Sequence, residues 1–378
     1  MHVGLVVYDG LGETSGGYRY DRKLVAHLRG QGDTVEVVSI PRRSYGRALF
    51  DGLSRSLCRR LDRPFDVLLQ DELCHPSLWQ LTPRLTRPTA VVSLVHLLRS
   101  GGPRTRLHPV YRRVEASYLR RVDAALCTSE HTRQRVDDLA SLPATVAYPA
   151  GRAEGAAITP ARAERRAHDG PLRLLFLGTL VPRKGVTTLV DALAGLDGVW
   201  TATLVGRHDA DPAYVDRVER AVDEHGLGDR LSVPGPVPDD ELAALLDRAH
   251  VLAVPSRYES FGMVYLEAME HGVVPVGSTV GGASELVDDG RNGLLVDPGD
   301  VDGLRRALAS LRDDRVRLGS LARGALATAH AHPDWSTSMA SVREFLRSTV
   351  ENAAASDASS DRLPEPQATQ QHSRGERS

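Results

Sequence analysis

Residues 172–193 read LRLLFLGTLVPRKGVTTLVDAL, and the fold follows from how this stretch is divided. Leu172 to Gly178 is an apolar run of strand length. It leads into a turn and then a helix, with Arg183 and Lys184 at the start of that helix. Cations at a helix N-terminus oppose the dipole, whose end there is already positive, so their position anticipates an anion between them. A diphosphate fits that description; a solvated basic turn is the plainer alternative.

The same strand-then-helix rhythm extends in both directions. Strand-like runs at 2–8, 34–40, 65–70, 88–95, 123–128 and 144–148 come before it. Others at 199–205, 230–234, 250–255, 273–278 and 293–296 come after it. Alternation of this kind predicts parallel sheets covered by helices on both faces. Ala150 to Gly170 interrupts the rhythm with Ala, Arg, Gly and Pro, and reads as a linker. The expected architecture is α/β, with two doubly wound Rossmann-like domains, 1–165 and 166–335, facing a central cleft. A C-terminal helix over 336–350 returns toward the first domain. Beyond Val350 the composition turns to Ala, Ser, Asp, Gln and Pro, which predicts a disordered tail over 351–378.

A chain of 378 residues accommodates two buried cores, and 41 % hydrophobic with 25 % charged residues is ordinary for a globular protein. Cys58, Cys74 and Cys127 stand apart without a CxxC pair, which suggests neither a disulfide framework nor a zinc cluster. With no basic leader ahead of an apolar segment and no membrane-length apolar run, a cytoplasmic location is expected.

The net charge of −2 conceals an asymmetry, since residues 1–150 hold 22 Lys/Arg against 15 Asp/Glu. Arg42, Arg43, Arg47, Arg55, Arg59, Arg60 and Arg63 supply much of that excess. Between them Leu49, Phe50, Leu53, Leu57 and Leu61 recur at helical spacing, giving an amphipathic helix with basic flanks. It reads either as a helix packed on its own core or as a peripheral contact between 42–63 and an anionic membrane or acidic acceptor. Nucleic acid is not expected as a partner, because no aromatic residues interleave with the arginines.

In open α/β sheets, ligands bind beyond the carboxyl ends of the strands. The loop after the first strand, DGLGETSGGYRY (Asp9 to Tyr20), is glycine-rich and opens a helix whose amides can approach a phosphate or sugar. Gly10, Gly12 and Gly16 form GxGxxxG, one residue longer than the dinucleotide fingerprint, and no acidic residue ends the second strand. His96 closes the strand PTAVVSLVH and so lies at the cleft edge. ESFGMVYLE puts Glu259 just past a strand, Ser260 where it can cap the next helix, and Glu267 about two turns further on the same side. Ionised carboxylates are acceptor-only, which suits sugar hydroxyls. Asp209 and Asp211 form a DxD that reads as turn chemistry rather than a metal site, and no metal site is expected.

Taken together, these residues resemble the family 4 glycosyltransferases, whose two-Rossmann-domain architecture is called GT-B. Specificity concentrates in 172–296, above all in Glu-x7-Glu with Ser-Phe-Gly after the first Glu. The resemblance implies that Glu259 and His96 face the transferred sugar and that Glu267 accepts from ribose hydroxyls. It further implies that Lys184, helped by Arg183, neutralises the diphosphate. Backbone amides of Phe261, Gly262 and Met263, with Ser260 beside them and Gly16 and Gly17 across the cleft, complete the donor cradle. Where the family often has Arg after the strand-ending glycine, this chain has Thr179, which shifts charge onto Arg183.

The resemblance also implies a retaining transfer of a hexose-type sugar, without an obligatory cofactor or metal. The donor would be a UDP- or GDP-linked sugar and the acceptor a glycan precursor, lipid-linked or polysaccharide. The first domain would be the acceptor side and the second the nucleotide-sugar side. An epimerase of the same architecture, or a non-catalytic nucleotide-sugar-binding protein, is the alternative.

Overall fold

The computed structural model describes residues 1–12, 15–102, 105–152 and 158–360. Two six-stranded sheets, each entirely parallel, organise the chain. The first contains β1 (His2–Tyr8), β2 (Thr34–Ile40), β3 (Val67–Asp71), β4 (Ala90–Val95), β5 (Ala124–Cys127) and β6 (Ala144–Val146) in the order β2-β1-β3-β4-β5-β6. The second contains β7 (Leu172–Leu177), β8 (Trp200–Val205), β9 (Leu231–Gly235), β10 (Val251–Ala253), β11 (Val274–Ser278) and β12 (Leu294–Val296) in the order β12-β11-β10-β7-β8-β9. Each of the twelve expected segments contains a strand. Central strands such as β3 and β4 are buried along their whole length, as a sheet covered on both faces requires.

The first sheet is accompanied by α1 (Gly16–Gly30), α2 (Tyr45–Ala48), α3 (Arg55–Leu61), α4 (His75–Leu78), α5 (His108–Leu119) and α6 (Glu130–Asp137). α7 (Pro160–Ala167), α8 (Val186–Ala194), α9 (Pro212–Glu224), α10 (Asp239–Arg248), α11 (Met263–Glu270), α12 (Val301–Asp313) and α13 (Arg315–Ala331) accompany the second. The last helix, α14 (Trp335–Ser360), gives Met339, Val342 and Leu346 to the core beneath the first sheet. Arg343 on it reaches Asp33 at 2.7 Å, and Asp33 also takes the N-terminal ammonium at 2.7 Å.

Two expectations need correction. The reading that ends order at Val350 is too short, because α14 continues to Ser360; its run of alanines favours helix even where nothing is buried. Residues 361–378, the rest of the expected tail, lie outside the described residues. The stretch 42–63 is not one amphipathic helix. It is split into α2, a 3-10 turn at Asp51–Leu53 and α3, so Leu57 and Leu61 point into the core while Phe50 and Leu53 are 70 % and 75 % exposed. Gly52 causes the break: an added Cβ there would lie 2.4 Å from the Gln80 side chain, so the chain turns at a close approach.

Sheet order dictates where ligands can bind. In the second sheet the connection reverses direction between β7 and β10, which are neighbours, and in the first between β1 and β3. A crevice opens at such a switch point. The loops after β1, β3, β4, β7 and β10 border these crevices.

Candidate active site

The loops after β7 and β10 meet. Lys184 Nζ lies 2.5 Å from Glu259 Oε2, which also accepts from Ser256 Oγ at 3.2 Å. Arg183 donates to Tyr258 O at 2.8 Å and stands 3.6 Å from the other Glu259 oxygen. Both Lys184 and Glu259 are buried. Burial works to raise the Glu259 carboxyl, but Lys184 and Arg183 outweigh it and hold the group below the usual carboxylate range. Burial likewise pulls the Lys184 ammonium below its ordinary value, against the attraction of Glu259. The guanidinium of Arg183 thus stands beside Lys184, in the same turn where Thr179 leaves no cation.

Glu259 lies ahead of the helix that carries Glu267, as expected, but that helix begins later than expected, so the two are not in helical register. α11 starts only at Met263, and its N-cap is Gly262 with φ 91°, not Ser260. A side chain at Gly262 would lie 2.4 Å from the Tyr265 ring, so both the backbone angle and the space demand glycine. Glu259 is held instead by a bridge to Gly281, and the backbone of 281–282 presses on the Glu259 and Ser260 carbonyls. Ser260 O in turn accepts from Ser129 Oγ of the first domain at 2.8 Å. Phe261 is packed against Tyr148 and His332, with ring centroids 5.6 Å away in each case.

Glu267 is buried on α11. Arg19 Nη1, from α1 of the first domain, lies 2.5 Å from its Oε1. Arg152 Nε is 3.4 Å from Oε2, without hydrogen-bond geometry, so Oε2 is a buried acceptor with no donor among the described residues. A buried acceptor without a hydrogen bond is costly.

Across the cleft, a Cβ on Gly16 would lie 3.1 Å from Met263 Sδ, and one on Gly17 would lie 3.3 Å from the His96 ring. His96 Nε2 is 3.0 Å from Asp21 Oδ1, and its backbone N–H donates to Glu72. Burial alone would lower the imidazole, but Asp21, Asp71 and Glu72 together push it up to about 9. Asp71 is itself pushed up to about 7 by burial and by Asp21. Asp21, Asp71 and His96 offer atoms within 4.8 Å of one another. The surrounding carboxylates thus favour the protonated form of His96.

The structure therefore brings together Gly16, Gly17, His96, Arg183, Lys184, Glu259, Gly262, Met263 and Glu267, with Ser260 and Phe261 on the connecting turn. Asp209 and Asp211 stay apart from this group: Asp209 pairs with Arg207 at 2.8 Å, and Asp211 caps α9. Sequence reasoning missed Arg19, Asp21 and Arg152. Arg19 carries the same signal as Arg183, a cation in the first turn of a helix after a glycine-rich loop. Asp21, on α1, and Arg152, in the linker, carry no such signal.

The residues 158–325 match the family described as glycosyl transferases group 1. Glycogen synthase of Mycobacterium tuberculosis is 35 % identical over 178 residues, covering 46 % of this chain and 42 % of that protein. A GDP-mannose-dependent α-(1-6)-phosphatidylinositol monomannoside mannosyltransferase of the same organism is 32 % identical over 256 residues, covering 62 % of this chain and 65 % of its own length. The chain thus spans less than two thirds of each of these relatives. Among solved structures, a sucrose-phosphate synthase from Thermosynechococcus elongatus superposes with a TM-score of 0.79 at 22 % identity, covering 93 % of this chain and 99 % of that one. Anabaena HepE, solved with UDP and glucose, gives 0.73 at 21 % identity over 92 % of this chain and 100 % of its own. The architecture is GT-B, and residues 158–325 are similar to the group 1 glycosyl transferases.

Proposed function

We propose that the protein is a glycosyltransferase that moves a hexose-type sugar from a UDP- or GDP-linked donor to a glycan precursor, with retention and without an obligatory metal. One observation carries the reading: two cations, Arg183 and Lys184, converge on Glu259 in a buried turn at the β7/β10 switch point. In this reading the diphosphate takes both cations from Glu259, which is then released toward the sugar. Glu267 Oε2, unsatisfied as it stands, accepts a ribose hydroxyl. Amides of Phe261, Gly262 and Met263 complete the donor cradle, and Gly16 and Gly17 close it from the first domain.

Charge develops on the leaving diphosphate, so fixed cations aimed at it stabilise the transition state more than the ground state. The acceptor oxygen bonds to the anomeric carbon as the carbon–phosphate oxygen bond breaks, and the departing phosphate takes the proton on the same face. His96, which Asp21 pushes toward its protonated form, donates to a sugar oxygen and does not compete for that proton. In the domain assignment, 1–165 forms the acceptor side and 166–335 the donor side.

Incubation with a panel of UDP-, GDP- and ADP-sugars, with and without EDTA, tests the proposal. Slow donor hydrolysis that survives EDTA is the expected result. An isomerised sugar would identify an epimerase, binding without turnover a non-catalytic module, and loss of hydrolysis in EDTA would remove the metal-independent part.

Phe50 and Leu53 support a second element of the proposal, contact with an anionic membrane. Both are exposed, and Arg47, Arg55 and Arg59 on the adjoining elements are exposed as well. Among the described residues no helix is long and apolar enough to cross a membrane, so the contact would be peripheral.

A further inference from the structure

The loop that follows β4 carries a second charged group besides His96. Arg99 lies three residues on, within about 11 Å of His96 even if the chain were fully extended. Its guanidinium carbon sits 5.2 Å from the Tyr45 ring centroid and 4.7 Å from that of Tyr111, and the two rings are themselves 4.7 Å apart. Among the described residues Arg99 has no carboxylate partner, although it is exposed. Stacking on aromatic faces orients a guanidinium while leaving its N–H fork unused.

Hydrogen bonds, several of them to buried groups, hold the loop and Tyr45. Glu72 Oε2 accepts from His96 N at 3.2 Å and Leu97 N at 3.0 Å, Glu115 accepts from Ser100 N at 3.2 Å, and Arg135 donates to Ser100 O at 3.3 Å. The Tyr45 hydroxyl is 3.1 Å from His75 Nε2, whose other nitrogen is 2.8 Å from Glu72 O. Burial holds His75 down to about 4, so it is neutral and adds no charge. The loop also abuts the donor side, because an added Cβ on Gly101 would lie 2.3 Å from the hydroxyl of Tyr258, the neighbour of Glu259. A cation stacked on two rings, with no ion pair among the described residues and on the same loop as His96, is organised for an external anion. The planar guanidinium fork matches the oxygens of a phosphate.

We propose that Arg99, clasped by Tyr45 and Tyr111, binds a phosphate group on the sugar acceptor and so delivers the acceptor hydroxyl to the bond beside His96. This rests on the transferase reading above and adds the chemical class of its acceptor. The phosphate can belong to a soluble phosphomonoester or to a phospholipid headgroup.

The test uses the full chain, first saturated with UDP or GDP so that Arg183 and Lys184 are occupied. Glycerol 3-phosphate and inorganic phosphate are titrated as soluble probes, and phosphatidylglycerol vesicles as the lipid probe, against glycerol and phosphatidylcholine. Binding of one phosphate-bearing probe at least tenfold tighter than its neutral counterpart is expected. That binding should weaken at least tenfold in Arg99→Ala and be partly restored in Arg99→Lys, with Tyr111→Leu intermediate. Vesicle-only binding assigns the phosphate to a lipid. Equal affinity in wild type and Arg99→Ala, or weakening only in Lys184→Ala, overturns the proposal. Arg99-dependent phosphate binding without turnover of any donor supports the anion site and sinks the transferase reading instead.

Discussion

Lys184 Nζ and Glu259 Oε2 lie 2.5 Å apart at the junction of two adjacent strand-end loops, each side chain about a tenth exposed. The two satisfy each other. Replacing Lys184 by Ala removes the cation proposed for the diphosphate, and the expected loss is about 3 kcal/mol in the barrier, about a hundredfold in kcat. The orphaned buried carboxylate should also cost about 3 to 5 kcal/mol of stability. Steady-state turnover and thermal unfolding of Lys184→Ala and Lys184→Met check both, and near-wild-type turnover rules out the role.

Glu267 should contribute to donor affinity more than to turnover. Its Oε2, which accepts no hydrogen bond among the described residues, is proposed to accept from ribose, and hydrogen bonds to a charged group are worth about 1.5 to 3 kcal/mol. Glu267→Gln is therefore expected to raise the donor KM by about ten- to a hundredfold with a smaller change in kcat. An unaltered KM would remove Glu267 from the donor site.

His96 gives the protein a pH dependence whose sign can be worked out. Folding raises its pKa from 6.5 to about 9, so the stability it contributes is fully present below about pH 6.5 and lost as pH rises through about 9. Asp71, raised from 3.8 to about 7, acts in the same direction at lower pH, losing its contribution as pH rises from 3.8 through about 7. Asp21 is the largest influence raising His96. Asp21→Asn should therefore flatten the fall in Tm between about pH 6.5 and 9, and NMR titration should find the His96 ring titrating at lower pH. A Tm profile parallel to wild type would contradict this.

Gly262→Ala should destabilise the chain by about 1 to 3 kcal/mol, since the backbone is left-handed there and Tyr265 occupies the space of a Cβ. Because the same residue begins α11, activity should fall further than Tm alone accounts for. Chemical denaturation beside initial rates separates the two effects.

Phe50→Asp with Leu53→Asp should abolish sedimentation with anionic vesicles at low salt while leaving Tm within about 1 °C, because neither side chain is buried. If vesicle binding is absent in the wild type, or persists in the double variant, contact through 42–63 fails.

The strands were legible because parallel strands buried on both faces are continuous apolar runs of Val, Leu and Ala, and a run of that kind needs no partner to be recognised. The carboxyl-edge position of Lys184, Glu259 and His96 was legible for the same reason: each comes just after a run. What the chain could not disclose locally depends on distance in sequence. Arg19 and Glu267 are 248 residues apart, Asp21 and His96 are 75, and only the docking of two sheets joins the first pair and the approach of α1 to the loop after β4 the second. The helical spacing of 42–63 misled because a single close approach, Gly52 to Gln80, overrides periodicity over one turn. Ser260 was expected as a cap because residue type was right, whereas the left-handed Gly262 set where the helix could begin. Local pattern determined the elements and the loops that bear the chemistry. Tertiary structure alone decided which charges meet and which remain unsatisfied, because electrostatic pairing and burial are properties of the assembled sheets.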